Sequence, residues 1–166
     1  VDLLTQSVVK RVVQAGNAIG GSISQDGRLV VAQNYDPGGI KVFDADTLEQ
    51  LADVPSTYGS EGKRSKVVGL ADVPGNKFVF ALFDAGEIWI ADLADGTFER
   101  LTREGFNDRP EWTPDGTRVL YSSSRSKANS LWWQPVDGSG PAELVFQGPD
   151  AIREGVFTPD GGSIVF

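Results

Sequence analysis

Histidine and cysteine are both absent from the sequence. Without histidine, the chain lacks the side chain that proteins use most often as a general base and as a metal ligand. Without cysteine, disulfide bonds, thiolate catalysis and zinc-thiolate sites are excluded. Serines cluster at 122–126, but no histidine is present to activate one as a nucleophile. The sequence therefore predicts no catalytic residue and no metal ligand, and we expect a protein that is not an enzyme and uses no cofactor.

An excess of positive charge and long apolar runs are also lacking. The 15 lysines and arginines are outnumbered by 23 aspartates and glutamates, so the net charge is −8. An acidic surface repels phosphate backbones and anionic membranes, and no stretch is apolar for long enough to cross a bilayer. We therefore expect a soluble protein with no nucleic-acid partner and no membrane contact. No signal-peptide pattern is present, and composition leaves the compartment unknown.

A repeat runs through the chain instead. Four segments, at 25–32, 74–81, 114–121 and 159–166, combine a polar turn with a run of β-branched or aromatic residues. Equivalent turn positions at Asn76, Gly116 and Gly161 lie 40 and 45 residues apart. Four short strands in each repeat of roughly 40–45 residues are typical of a β-propeller blade. The predicted fold is all-β, with antiparallel four-stranded blades and almost no helix.

The predicted blades span about 17–57, 65–103 and 107–147, and 151–166 together with 1–14 form a seam blade. The valines of 7–13 predict an outer strand that completes this seam blade and hides the open edges. The hairpin between the second and third strands of the seam blade is missing between Phe166 and Val1. Two closures remain open: a four-bladed monomer, or a homodimer whose two chains complete an eight-bladed ring.

Two groups of motifs each resemble a known propeller family. The segments 24–28, 38–44 and 78–89, the last reading FVFALFDAGEIW, resemble the eight-bladed propeller of heme-containing cytochrome nitrite reductases and their cofactor-biosynthesis relatives. This resemblance covers 1–93, favours the eight-bladed ring and implies a periplasmic location. Those relatives hold heme with histidines on the top face of the propeller, which this chain cannot supply. The segments 109–116, reading RPEWTPDG, and 157–161 resemble TolB-type propellers over 95–166. A change of family near Asp92 suggests a chimera, and the alternative is one divergent natural propeller.

Six residues are candidates for a binding surface. Asp108, Arg109, Glu111 and Arg153 put charges in or just before the innermost strand, where they would line the mouth of a central channel. Two further residues, Tyr35 and Arg125, lie on loops at the same face and are of the types that anchor interfaces. A peptide or protein is the ligand that these positions favour.

The function that follows is a non-enzymatic scaffold, a chimeric propeller made by engineering or recombination that assembles into a closed ring. Two alternatives are kept. The first is a TolB-like module that binds a peptide or protein. The second is a heme-handling propeller fragment related to nitrite reductase.

Overall fold

The computed structural model describes residues 2–14, 17–73, 75–126 and 128–166. The remaining residues include three to which the sequence predictions gave a place: Val1 of the seam blade, Pro74 of the second repeated turn, and Lys127 in the loop after Arg125. The described residues contain no helix long and apolar enough to cross a membrane. All regular structure in them is β, in sixteen strands.

The strands fall into three four-stranded antiparallel sheets, here called blades, and two short hairpins. Blade 1 is made of β1 (Asn17–Ile23), β2 (Leu29–Asp36), β3 (Ile40–Asp44) and β4 (Gln50–Val54). The hairpin of β5 (Thr57–Tyr58) and β6 (Lys63–Arg64) follows it. Blade 2 is made of β7 (Val67–Val73), β8 (Lys77–Leu82), β9 (Glu87–Asp92) and β10 (Thr97–Arg100). Blade 3 is made of β11 (Asn107–Trp112), β12 (Arg118–Ser123), β13 (Ser130–Pro135) and β14 (Glu143–Phe146), and the second hairpin is β15 (Val156–Phe157) with β16 (Ile164–Val165). The predicted all-β class is confirmed.

Local side-chain hydrogen bonds form the turn between the first two strands of a repeat. In blade 3, Thr113 Oγ1 donates to Asp115 Oδ1 at 2.6 Å, and the same carboxylate oxygen accepts from Thr117 N at 3.0 Å. Gly116 follows with a φ of +69°, which a β-branched residue resists. The same turn recurs at Ser24–Asp26 and at Thr158–Asp160. A pattern readable in four residues therefore fixes each of these hairpins.

The core lies between the blades. One cluster fills the space between blades 1 and 2, with Val31, Ile40 and Phe78 buried at its centre. The second cluster lies between blades 2 and 3, where Trp112 Nε1 donates to the Ala71 carbonyl at 3.3 Å and Tyr121 is fully buried. Both faces of blade 2 are therefore covered, which explains the nearly continuous apolar run of β8.

The seam blade differs from its prediction. Residues 8–14 are irregular, and Asp2–Ser7 is an isolated bridge, so the strand predicted over 7–13 is not formed. No hydrogen bond joins 2–14 to 151–166 in the described part of the chain. A strand needs a neighbour to satisfy its backbone, and none of the described strands pairs with residues 8–14. The chain does not close on itself here, and the eight-bladed homodimer stays a prediction.

Candidate functional site

The blades present one end, here called the loop face, at which β2–β3, β8–β9 and β12–β13 are connected. In blade 1 the connection 34–39 packs tightly on the β5–β6 hairpin. Gly38 makes this possible, because a methyl group there would lie 2.7 Å from Ser56 Oγ and closer still to the Ser65 carbonyl oxygen. Ser65 N donates to the Ser56 carbonyl at 2.9 Å and closes the base of the hairpin. The two loops thus form one continuous wall.

This wall borders a cavity of about 410 Å³, here called the Tyr35 cavity. Its lining combines an aromatic ring, two cationic side chains, two carboxylates and small polar groups. The lining residues are Asn17, Tyr35, Asp36, Pro37, Arg64, Ser65, Lys66 and Asp84. The cavity therefore brings together an aromatic face, two cationic side chains and two carboxylates on a chain that is acidic as a whole.

Lys66 and Asp84 form the strongest polar contact in the Tyr35 cavity. Lys66 Nζ lies 2.7 Å from Asp84 Oδ1, and Lys66 N donates to Asp84 Oδ2 at 2.9 Å. These hydrogen bonds lower the pKa of Asp84, and the same ion pair raises the pKa of Lys66. The Lys66 ammonium also lies 5.4 Å from the centroid of the Tyr35 ring. The lysine thus contacts both the carboxylate and the aromatic wall.

Two of the four predicted channel residues, Asp108 and Arg109, lie in contact on the inner strand of blade 3. Arg109 pairs with Glu154 just before β15, and its backbone N–H donates to Asp108 Oδ1 at 2.7 Å. Arg109 has a left-handed φ of +53° at a bulge in β11. Gly69 has a similar φ of +62° at the bulge in β7 and packs against it. The two bulges therefore interlock adjacent blades and direct Arg109 towards Glu154.

Glu111 lies on the same strand and is half-buried. Burial raises the pKa of Glu111, and the negative charge of Asp72 adds to the increase. Asp72 accepts hydrogen bonds from Ser22 Oγ at 2.5 Å and from Gln25 Nε2 at 2.6 Å. Hydrogen bonds to Asp72 thus link blade 1 to blade 2, and Glu111 of blade 3 lies near enough to Asp72 for the two carboxylates to repel each other.

Five of the six predicted binding residues are absent from the lining of the Tyr35 cavity: Asp108, Arg109, Glu111, Arg125 and Arg153. Arg125 lies over the Trp132 ring at 4.9 Å, and its Nε is 3.8 Å from Glu104 Oε2, so most of its surface is used in packing blade 3. Arg153 is exposed at the start of the last hairpin and makes no ion pair within the described residues. Tyr35 lines the cavity at the loop face, where the sequence analysis placed it. A binding role for any of the six residues, and a peptide ligand, stay predictions.

Sequence reasoning missed Arg64, Lys66 and Asp84. The polar loop at 57–66 adds length between the first two repeats, and an inserted loop on a rigid scaffold is a recognised signal of function. Asp84 stands in the turn before β9, where an aspartate is ordinary turn chemistry. The loop could have been singled out from the sequence, but its pairing with Asp84 could not.

A comparison with protein families shows to which family the chain belongs. The model of the cytochrome D1 heme domain matches residues 1–131, without interruption at the proposed junction near Asp92. The chain belongs to the cytochrome D1 heme domain family. This match confirms the resemblance to heme propellers and extends it beyond 93, into the part that resembles TolB-type repeats.

Curated relatives in this family cover most of the chain. Protein NirF of Pseudomonas aeruginosa is 58% identical over 103 residues, or 61% of this chain and 26% of the relative. Protein NirF of Stutzerimonas stutzeri is 50% identical over 145 residues, or 83% of this chain and 37% of the relative. The dihydro-heme d1 dehydrogenase of Pseudomonas aeruginosa is 29% identical over 99% of this chain and 34% of the relative. The chain thus spans between a quarter and two fifths of the length of these relatives.

Solved structures agree on the propeller-like fold. The dihydro-heme d1 dehydrogenase NirN in complex with DHE is 27% identical, with a TM-score of 0.66 over 78% of this chain and 28% of that chain. A structure assigned as TolB from Agrobacterium tumefaciens is 25% identical, with a TM-score of 0.71 over 93% of this chain and 56% of that chain. The TolB-type resemblance of the repeats is therefore borne out at the level of structure.

These findings correct the predicted function. The interpretation as an engineered scaffold is wrong, because relatives at up to 58% identity are NirF proteins and one is named as a dehydrogenase of a heme d1 compound. The change of family near Asp92 stays a prediction. The error came from giving the missing histidines more weight than the resemblance. The heme-handling alternative fits the family better.

Proposed function

We propose that the protein binds a heme d1-type tetrapyrrole on its loop face and handles it as cargo or substrate. The observation that carries the proposal is the Tyr35 cavity, in which an aromatic ring and two cations lie together in a chain of the cytochrome D1 heme domain family. The names of two similar proteins, the dihydro-heme d1 dehydrogenases, supply the ligand class.

The residues of the cavity fit the periphery of such a molecule. A flat macrocycle offers a π-face that stacks on a tyrosine ring. Because the protein has a net charge of −8, it would repel the acidic side chains of the macrocycle unless cationic residues lie close to them. Arg64 and Lys66 are the two cationic side chains of the lining. Tyrosine and carboxylate oxygens are the groups here that can approach the iron, since the chain has no histidine. The bound iron macrocycle would supply the redox chemistry, and the cavity would bind and orient it.

The proposal is tested by titrating the protein with iron protoporphyrin IX and recording the absorption spectrum. We expect a shifted Soret band with saturable binding. Tyr35→Ala should weaken binding about tenfold, the equivalent of roughly 1.4 kcal/mol of lost ring contact. Arg28→Gln, at an exposed turn on the opposite end of blade 1, is the control and should bind as the wild type does. Absence of a saturable spectral change in the wild type would refute heme binding.

A further inference from the structure

The two cations of the Tyr35 cavity are not equivalent. Lys66 is engaged by Asp84 through both its ammonium and its backbone N–H. Asp84 is itself held, because its N–H donates to Ser65 Oγ at 3.0 Å. The charge of Lys66 is thus compensated inside the protein, and an incoming carboxylate would have to compete with Asp84 for it.

Arg64, in contrast to Lys66, forms no ion pair within the described residues. Its backbone is fixed by pairing with Thr57 in the β5–β6 hairpin, while its side chain is exposed. The side chain also borders a neighbouring cavity of about 380 Å³, which shares Pro37 with the Tyr35 cavity. A fixed backbone with an uncompensated guanidinium at a cavity rim is suited to receive an anion.

We propose that Arg64 is the residue that recognises an acidic side chain of the bound tetrapyrrole, and that the Lys66–Asp84 pair supports the Tyr35 wall instead of binding the acid. This inference rests on the proposed function. A guanidinium binds a carboxylate with two parallel hydrogen bonds, which a lysine ammonium cannot match. In this proposal Arg64 is a specificity-determining residue and Lys66 is a positioning residue.

The experiment compares two probes, iron protoporphyrin IX and its dimethyl ester, which differ in the charge of their side chains. Wild-type protein should bind the free acid roughly tenfold to hundredfold more tightly than the ester, as expected for a charge-assisted hydrogen bond. Arg64→Gln should abolish this preference and leave the affinity for the ester unchanged. Lys66→Gln, the matched control, should keep the preference, although its affinity for both probes falls together.

A second variant tests the role of Asp84. Asp84→Asn releases Lys66, so the double variant Arg64→Gln with Asp84→Asn should regain part of the preference for the free acid. Thermal melts of each variant by circular dichroism check that the fold is kept. Three results would overturn the inference without refuting heme binding. The preference for the free acid could survive Arg64→Gln, it could be lost in Lys66→Gln, or it could be absent from wild-type protein that binds both probes. Failure of the wild type to bind either probe would instead refute the proposed function.

Discussion

Gly38 offers the sharpest test of how the candidate site is built. Its φ is +85°, and a methyl group at this position would lie 2.7 Å from Ser56 Oγ. An alanine in the left-handed region costs about 1–2 kcal/mol, and overpacking a tight contact costs a further 1–3 kcal/mol or so. We therefore expect Gly38→Ala to lower the free energy of unfolding by about 2–5 kcal/mol. The collision also forces the 34–39 loop away from the hairpin, so heme binding should weaken too.

The control for Gly38→Ala is Gly59→Ala, in the adjacent hairpin. Gly59 has a φ of +67°, but a methyl group there would meet nothing within 4 Å, so only the backbone cost of about 1–2 kcal/mol applies. Urea unfolding followed by tryptophan fluorescence gives the free energy of unfolding of each variant. An m-value equal to that of the wild type shows that the free energies can be compared directly. Equal losses in the two variants would show that the loop and the hairpin are not in the tight contact described.

Two further predictions concern stability. Asn107 is fully buried and donates from Nδ2 to the carbonyls of Gly86 and Glu104 at 3.0 Å and of Gly105 at 3.1 Å. In Asn107→Leu the Gly86 carbonyl keeps the backbone N–H of residue 107 and the Glu104 carbonyl keeps Arg125, so the Gly105 carbonyl is the acceptor left unpaired. We expect a cost of about 1–3 kcal/mol in a urea titration, and a loss under about 0.5 kcal/mol, the range of ordinary surface changes, would contradict the network. The hydrogen bonds from Lys66 lower the pKa of Asp84 in the folded protein. The ionised Asp84 therefore stabilises the fold at neutral pH, and this stabilisation is lost as the pH falls below about 4 and through the pKa of Asp84 in the folded protein. Unfolding free energies from pH 7 to pH 3 should therefore fall less in Asp84→Asn than in the wild type, and parallel curves would argue against the pair.

The functional prediction shows the limits of arguing from an absence. No histidine among these 166 residues is available to ligate heme iron. This absence does not exclude a site that holds a tetrapyrrole by its ring face and its acidic groups, which needs only an aromatic side chain and cations. The motif at 78–89 pointed to the heme propellers, and the family match over 1–131 shows that this signal was the better guide.

The sequence by itself determined the repeat. Three of its turns, such as Thr113 to Gly116, are built from hydrogen bonds between residues two to five positions apart, so consecutive residues of the sequence specify them. The valines of 8–13 had the composition of a strand, but a strand exists only beside a partner, and no local pattern supplies one.

Only the tertiary structure decided the candidate site. Tyr35, Arg64, Lys66 and Asp84 come from blade 1, the hairpin that follows it and a turn in blade 2, and they meet because the blades pack side by side. Which cation is compensated and which is left for a ligand depends on the 2.7 Å approach of Lys66 to Asp84, a contact between residues far apart in the chain. Electrostatic partners are chosen by distance in space, and sequence spacing fixes that distance only within one turn or one strand.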